Sequence, residues 1–132
     1  MKRCEFYIII NTESGKKPVK VRGYMFEKCG HWFTVRRRIP SENFKKWIIS
    51  DFVTGLVMTD TDSSIENVRY ALPECRIVKL LGFYDNCAIC CGRTIKESLQ
   101  SDADMIHAAM FKDNPESKML DLHTSQAGNL YN

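Results

Sequence analysis

Residues 19–38, with the sequence VKVRGYMFEKCGHWFTVRRR, decide the fold. In the first half of this stretch apolar and polar side chains alternate, and the alternation changes phase after Gly23. Period-two alternation indicates a half-buried β-strand, and a glycine at a change of phase is typical of a β-bulge. We therefore predict a strand over residues 19–28, with a bulge that places four side chains on one face: Val19, Val21, Tyr24 and Phe26.

A tight turn at Cys29-Gly30 leads into a third strand, which we predict over residues 31–38. Alternate side chains of a strand share a face, so Arg36 and Arg38 are expected on the side of Trp32. Basic and aromatic side chains together on a sheet are typical of surfaces that bind single-stranded nucleic acid. The pattern therefore predicts an aromatic and basic surface for a macromolecular partner.

The remaining elements follow from residue type and capping. Runs of β-branched and aromatic residues predict strands over 4–10, 46–52, 56–59 and 76–83, with a hairpin turn at Thr54-Gly55. Capping boxes at Ser63/Glu66 and Thr94/Glu97 predict helices over 63–72 and from about 95 to 111, and Ser101-Asp102 leaves open a break in the second. The sequence thus predicts an α+β fold: an antiparallel β-meander of five to six strands with two or three helices.

The 132-residue chain, 44% of it hydrophobic, has the length of one domain with one core. We assign residues 1–112 to a single α+β domain and residues 113–132 to a C-terminal tail that docks or stays loosely ordered. No apolar run approaches the ~20 residues that a membrane span needs, and the apolar stretch 6–10 is too short for a secretion signal. We expect a cytoplasmic protein without membrane contact.

Charge is distributed unevenly along the chain. Residues 1–50 hold 12 Lys/Arg and 4 Asp/Glu, a net charge of +8, whereas residues 51–132 hold 7 and 12, a net charge of −5. A basic region steers phosphates or acidic proteins toward itself, and an acidic one steers basic surfaces. Alternatively, the two regions mix in space as ordinary solvated faces of one domain.

The six cysteines suggest reduced thiols, with one alternative. In a cytoplasmic protein a disulfide framework is not expected. Cys87 and Cys90 have the C-x-x-C spacing of half a zinc knuckle, and Cys29 with His31 is the best candidate for the other half. Zinc held by these four residues is the one cofactor that the spacing leaves open.

Catalytic motifs are missing from the sequence. It contains no G-x-S-x-G, P-loop, H-E-x-x-H or G-x-G-x-x-G pattern. Acids at Asp51, Asp60 and Asp62 flank a turn and a helix start, where acids are favoured without any catalytic role. A cysteine enzyme built on the thiol-rich loop 85–93 is the remaining catalytic alternative. We expect a non-enzymatic protein with no catalytic residues.

Several segments together resemble small proteins of bacteriophages and mobile elements, some of which are anti-CRISPR or other host-defence inhibitors. The resemblance covers about residues 19–72. It is carried by Val19-x-Val21-x-Gly23-Tyr24-x-Phe26, His31-Trp32-Phe33, Trp47-Ile48-Ile49-Ser50-Asp51, Thr54-Gly55-Leu56 and the capped helix 63–72. It implies a non-enzymatic protein that blocks a bacterial nucleoprotein machine by occupying one of its surfaces.

The leading hypothesis is therefore a phage-encoded interaction protein that inhibits a bacterial defence nuclease complex, such as a Cas effector, in the host cytoplasm. Tryptophan and arginine dominate binding hot spots, and the predicted contact residues are Trp32, Arg36, Arg37, Arg38, Lys45 and Lys46. The alternative is a small nucleic-acid-binding regulator, stabilised by zinc through Cys87 and Cys90. The nearly all-apolar helical segment 102–111 also allows a homodimer.

Overall fold

The fold is built on a five-stranded antiparallel sheet in a computed structural model that describes residues 1–131. The strands follow one another in chain order, so the predicted meander and the α+β class are confirmed. Their bounds are β1 Lys2–Thr12, β2 Gly15–Lys28, β3 His31–Arg37, β4 Trp47–Asp51 and β5 Val57–Thr61. A separate two-stranded hairpin is formed by β6 Ile89–Cys90 and β7 Arg93–Thr94.

The first two strands form a hairpin that is longer than predicted. Its pairs run without a break from Lys2↔Met25 to Thr12↔Gly15. In contrast, β2 pairs with β3 only from Tyr24↔Val35 to Lys28↔His31. The outer part of the β1–β2 hairpin, residues 4–12 and 15–23, therefore extends beyond the rest of the sheet. We call it the hairpin arm.

The predicted bulge at Gly23 is wrong. The β1–β2 ladder runs through Gly23 without a break, and the β2–β3 ladder begins at the next residue, Tyr24. The one register shift among the described strand pairs lies between Ile49 and Ser50, where β4 pairs with β5. Gly23 instead marks the point at which β2 leaves β3. A Cβ at this position would overlap the carbonyl oxygen of Val35 and lie 2.9 Å from Cε1 of Phe6. Because the register is unbroken, Val19 and Val21 lie on the opposite face of β2 from Tyr24 and Phe26, and not on the same face as predicted.

The turn at Cys29-Gly30 is confirmed. Both residues have positive φ, 54° and 74°. These angles are those of a two-residue type I′ turn, whose twist matches the flanking strands. Lys28 and His31 pair directly across it.

Helices cover the sheet in the second half of the chain. They are a 3₁₀ helix Ile65–Ala71, α1 Glu74–Tyr84, α2 Ile95–Asp113, α3 Lys118–Gln126 and a short 3₁₀ turn Gly128–Leu130. The capping box at Thr94 and Glu97 is confirmed, and α2 is one helix without a break at Ser101. At the first predicted helix only a 3₁₀ helix forms, and its N-cap is Ser64, which makes no side-chain capping bond.

The strand predicted over residues 76–83 is wrong, because this segment lies within α1. Three of its side chains are buried at helical spacing: Ile77, Leu80 and Tyr84. Pro73 is the N-cap of this helix. Proline suits the start of a helix, where its missing N–H costs no hydrogen bond.

The C-terminal segment is docked on the sheet. Leu120 and His123 of α3 are buried, as are Ala127 and Leu130 beyond it. Of the two arrangements expected for residues 113–132, the described residues show the docked one. Asn132, the last residue of that segment, lies outside the described residues.

The buried apolar residues form two clusters. The larger one joins β2, β3 and β4 to α1 and the start of α2, and includes Phe33, Ile49 and Leu80. The smaller one joins Met25 and Phe52 to α2 and α3 and contains Met110. Among the described residues, none of the helices has the length and apolar character needed to cross a membrane.

Candidate functional site

A cleft opens where the hairpin arm leaves β3. It has a volume of about 950 Å³ and lies between β1 and β2 on one side and the end of β3 with the following loop on the other. Its apolar lining comes from Ile8, Ile10, Val19, Val21, Ile39 and Trp47. Its charged lining consists of four arginines and two glutamates: Arg3, Arg22, Arg36, Arg37, Glu5 and Glu42.

Contacts with α2 hold the hairpin arm in place. Tyr7 and Ile9 pack against the smaller core cluster, while their neighbour Ile8 faces the cleft. Lys16 forms an ion pair of 2.9 Å with Asp102, and Lys20 forms one of 2.7 Å with Asp113. The basic and acidic halves of the sequence therefore partly neutralise each other at this contact.

Arg36 is a structural residue and not an exposed contact. Only 8% of it is exposed, and its two terminal nitrogens donate to the two carboxylate oxygens of Glu42 at 2.8 and 2.6 Å. Glu42 also accepts from the backbone N–H of Ile39 at 2.9 Å. The hydrogen bonds from Arg36 hold the pKa of Glu42 below its ordinary value. This pair fixes the loop after β3 as one wall of the cleft, so Arg36, predicted as a partner contact, is engaged in an internal ion pair and exposes little of its surface.

Arg37 and Lys46 flank the indole of Trp47. The Arg37 guanidinium lies 5.4 Å and the Lys46 ammonium 5.6 Å from the ring centroid, within cation–π range. Arg37 pairs with Trp47 across β3 and β4, and both cationic side chains are exposed while the indole is buried. Arg37 thus remains available to a partner at the mouth of the cleft.

The other predicted contact residues lie around the same loop, with one exception. Arg38 and Lys45 are exposed, and the backbone N–H of Lys45 donates to Asp60 at 2.6 Å. Trp32 lies at the opposite end of β3 and packs against the smaller core cluster, and its backbone N–H donates to Oε1 of Gln126 at 3.1 Å. The structure therefore separates Trp32 from the cations, and Trp47 occupies the place predicted for it.

Two donors beside the cleft have no partner among the described residues. They are Nε of Arg36 and Nε1 of Trp47, and both atoms are buried. A buried N–H without an acceptor is costly. Both belong to side chains that line the cleft, so this wall lacks acceptors rather than donors.

The four candidate zinc ligands do not form a site. Cys29 and His31 lie at the β2–β3 turn, whereas Cys87 and Cys90 lie at the β6–β7 hairpin. Throughout residues 1–131 no three His, Cys, Asp or Glu side chains are placed to hold a metal ion. The Cys90 and Cys91 sulfurs are 3.8 Å apart, and this contact raises the pKa of Cys90.

His31 instead joins a buried network centred on Asp51, which the sequence did not reveal. The carboxylate accepts from Nε2 of His31 at 2.8 Å, the Tyr84 hydroxyl at 2.6 Å and the Thr54 hydroxyl at 2.8 Å. It also accepts from the backbone N–H of Val53 at 3.1 Å. Burial and the neighbouring carboxylate raise the pKa of Tyr84 far above its ordinary value.

This network ties α1 to the sheet. Tyr84 comes from α1, His31 from β3 and Asp51 from β4. Four donors satisfy the buried carboxylate, as stable burial of a charge requires. The pocket beside it, about 240 Å³ and lined by Cys29 and His31, places no thiol within hydrogen-bond distance of the imidazole in the described chain. We assign the network to stability.

No protein-family model matches this chain, and no curated protein or solved structure matches it significantly.

Proposed function

We propose that this protein is a non-enzymatic interaction protein whose cleft binds an anionic segment of a macromolecular partner. The observation that carries the proposal is the lining of the cleft, where four arginines face two glutamates around apolar walls. Electrostatic attraction of this kind raises association rates and discriminates against cationic partners. The apolar walls supply contact area that a purely electrostatic surface lacks.

The partner class that we propose is a bacterial defence nuclease complex such as a CRISPR effector. The resemblance of residues 19–72 to phage host-defence inhibitors supports this choice. Such complexes offer acidic protein surfaces as well as nucleic acid. A protein that occupies one of these surfaces inhibits without catalysis.

The contact residues in this proposal are Arg22 and Arg37, together with Lys46, which flanks Trp47 of the cleft lining. Arg22 and Arg37 line the cleft and are exposed, and neither forms a salt bridge among the described residues. Arg36 has a supporting role through Glu42.

A phage-plating assay tests the proposal. The protein is expressed in bacterial strains that each carry one active CRISPR-Cas type, and targeted phage is plated on them. We expect restored plaque formation in one type, and its loss in the double variant Arg22→Gln/Arg37→Gln. The matched control Lys79→Gln/Arg93→Gln removes the same charge from exposed positions outside the cleft and should retain inhibition.

Two results would contradict the proposal. Failure to protect phage in every strain would remove the defence nuclease as target. Full inhibition by the cleft variant would remove the cleft as contact surface. Binding of the purified protein to single-stranded DNA with a steep dependence on salt, lost in the same variant, would instead favour the nucleic-acid-binding regulator.

A further inference from the structure

We propose that the occupant of the cleft is an extended peptide segment with alternating apolar and acidic residues, added as a strand to the free edge of β2. This inference deepens the proposed function and rests on it. Strand addition to an exposed sheet edge is a common mode of peptide recognition, in which main-chain hydrogen bonds supply affinity and alternate side chains supply specificity.

The free edge follows from the pairing of β2. Residues 24–28 of β2 pair with β3, whereas residues 15–23 pair only with β1. Hydrogen bonding alternates along an antiparallel strand, so residues that bond one neighbour do not bond the other. Lys28 and His31 flank a two-residue turn and therefore form a hydrogen-bonded pair. Even-numbered residues of β2 thus direct their backbone N–H and C=O groups toward β3. Beyond Gly23 the same side of β2 has no strand partner.

This edge carries main-chain groups that a peptide can use. Lys16, Lys20 and Arg22 each present one N–H and one C=O along it, and Pro18 presents a C=O only. Seven residues, 16–22, span about 23 Å of extended chain. Val19, Val21 and Arg22 at this edge all line the cleft.

The charge of the edge selects the occupant. Residues 15–22 contain four cationic side chains and no acid. Lys16 and Lys20 are paired with Asp102 and Asp113 of α2, whereas Lys17 and Arg22 form no salt bridge among the described residues. A second copy of this chain would place like charges opposite each other in the same arrangement, which is unfavourable. Lysine and proline on an edge strand are also devices that prevent self-association. An acidic segment has the opposite charge and meets no such penalty.

Side-chain alternation predicts the sequence pattern of the segment. In an added strand, side chains lie on the same two faces as those of β2. On one face they adjoin Val19 and Val21, beside Ile8 and Ile10. On the other face they adjoin Lys20 and Arg22. Apolar residues suit the first face and acidic residues the second.

N-methylated peptides test strand addition directly. The probe is an acetylated and amidated peptide of four Val-Glu repeats, titrated into the isotope-labelled full chain and followed by NMR. One derivative carries N-methyl groups on its valines and a second on its glutamates. In an added strand only one set of N–H groups faces β2, so we expect one derivative to bind about tenfold more weakly or worse and the other to bind nearly as the parent.

Backbone amides of the protein give an independent measurement. Before the peptide is added, the amides of Lys20 and Arg22 should exchange with solvent quickly and those of Val19 and Val21 slowly. On binding, the first pair should become protected. The variant Lys20→Pro removes one donor from the free edge without touching the β1 ladder, and we expect it to lose the peptide. Lys20→Ala removes the same charge but keeps the N–H, and should bind it.

The outcomes separate this inference from the proposed function. Equal binding of both N-methylated peptides, or no change in the exchange of Lys20 and Arg22, overturns strand addition while charge recognition stands. Binding of a twelve-residue oligothymidylate in the cleft without binding of the peptide overturns it in favour of nucleic acid. If neither probe binds, the edge is only protected against aggregation, and the inference is overturned. Full phage inhibition by Arg22→Gln/Arg37→Gln would overturn the proposed function as well.

Discussion

Replacement of Gly23 by alanine should destabilise the protein, although Gly→Ala in a strand ordinarily does not. An alanine normally stabilises by restricting the unfolded chain, by about 0.4–1 kcal/mol where the native backbone accepts it. At position 23 the new Cβ overlaps the carbonyl oxygen of Val35 and lies 2.9 Å from Phe6. The phenyl ring can turn aside, but the Val35 oxygen is part of the β2–β3 ladder and cannot.

The expected loss combines two costs. Relieving the overlap moves β2 away from β3 at the Tyr24↔Val35 pair, which weakens at least one ladder hydrogen bond worth about 1 kcal/mol. Overpacking against buried Phe6 adds about 1–3 kcal/mol. The free energy of unfolding should therefore fall by about 2–4 kcal/mol, which for a chain of this length lowers Tm by roughly 7–14 °C.

Urea unfolding followed by circular dichroism measures this change, and Gly82→Ala is the matched control. Gly82 lies inside α1, and a Cβ there meets nothing within 4 Å. Alanine at position 82 should raise the free energy of unfolding by about 0.5–1 kcal/mol. The reasoning is refuted if Gly23→Ala is neutral or stabilising, because β2 would then not approach β3 closely at the base of the cleft.

Three further changes test the buried polar groups. Tyr84→Phe removes the 2.6 Å hydrogen bond to Asp51 and should lower the free energy of unfolding by about 2 kcal/mol; a loss below 0.5 kcal/mol would show that the network contributes little. Glu42→Gln leaves buried Arg36 without its carboxylate. It should lower the free energy of unfolding by about 2 kcal/mol, measured by urea unfolding, and loosen the loop after β3, measured by amide exchange of residues 38–46. Burial lowers the pKa of His123, so its contribution to stability is complete above pH ~6.5 and is lost as pH falls below that value, at up to ~1.4 kcal/mol per pH unit. Urea midpoints at pH 7.5 and 5.5 check this, and a His123→Gln variant with the same pH dependence would contradict it.

The sheet could be predicted from the sequence because its strands alternate in the ordinary way. Val19 and Val21, and then Phe33 and Val35, repeat at period two, and the Cys29-Gly30 turn has the residues and angles of a hairpin. Local patterns of this kind depend on few distant contacts. The strand order followed from short connections between neighbouring elements.

Segment 76–83 could not be assigned by residue type, since Ile77 and Val78 favour a strand. Its helical spacing is visible in the sequence as Ile77, Leu80, Leu81 and Tyr84, at i, i+3, i+4 and i+7. Packing of this stripe against the sheet, together with Tyr84 and its bond to Asp51, outweighs the β preference of two residues.

The candidate site was only partly predictable. The basic segment around Arg37 and Lys46 is apparent in the sequence. Arg37 lines the cleft, and Lys46 flanks Trp47 beside it. The ion pair of Arg36 with Glu42 depends on the path of the loop between β3 and β4, which no local pattern determines. The cleft itself depends on Gly23. In the sequence, the change of phase at this glycine is compatible with a bulge and also with β2 leaving β3, so the cleft could not be predicted.

The most direct test is amide hydrogen exchange of the protein in complex with the nuclease that we propose as its target. The account predicts protection of residues 16–24 and 36–47, which form the edge of β2 and the opposite wall of the cleft. Protection confined to α2, α3 or the β6–β7 hairpin, with the cleft exchanging as in the free protein, would contradict it.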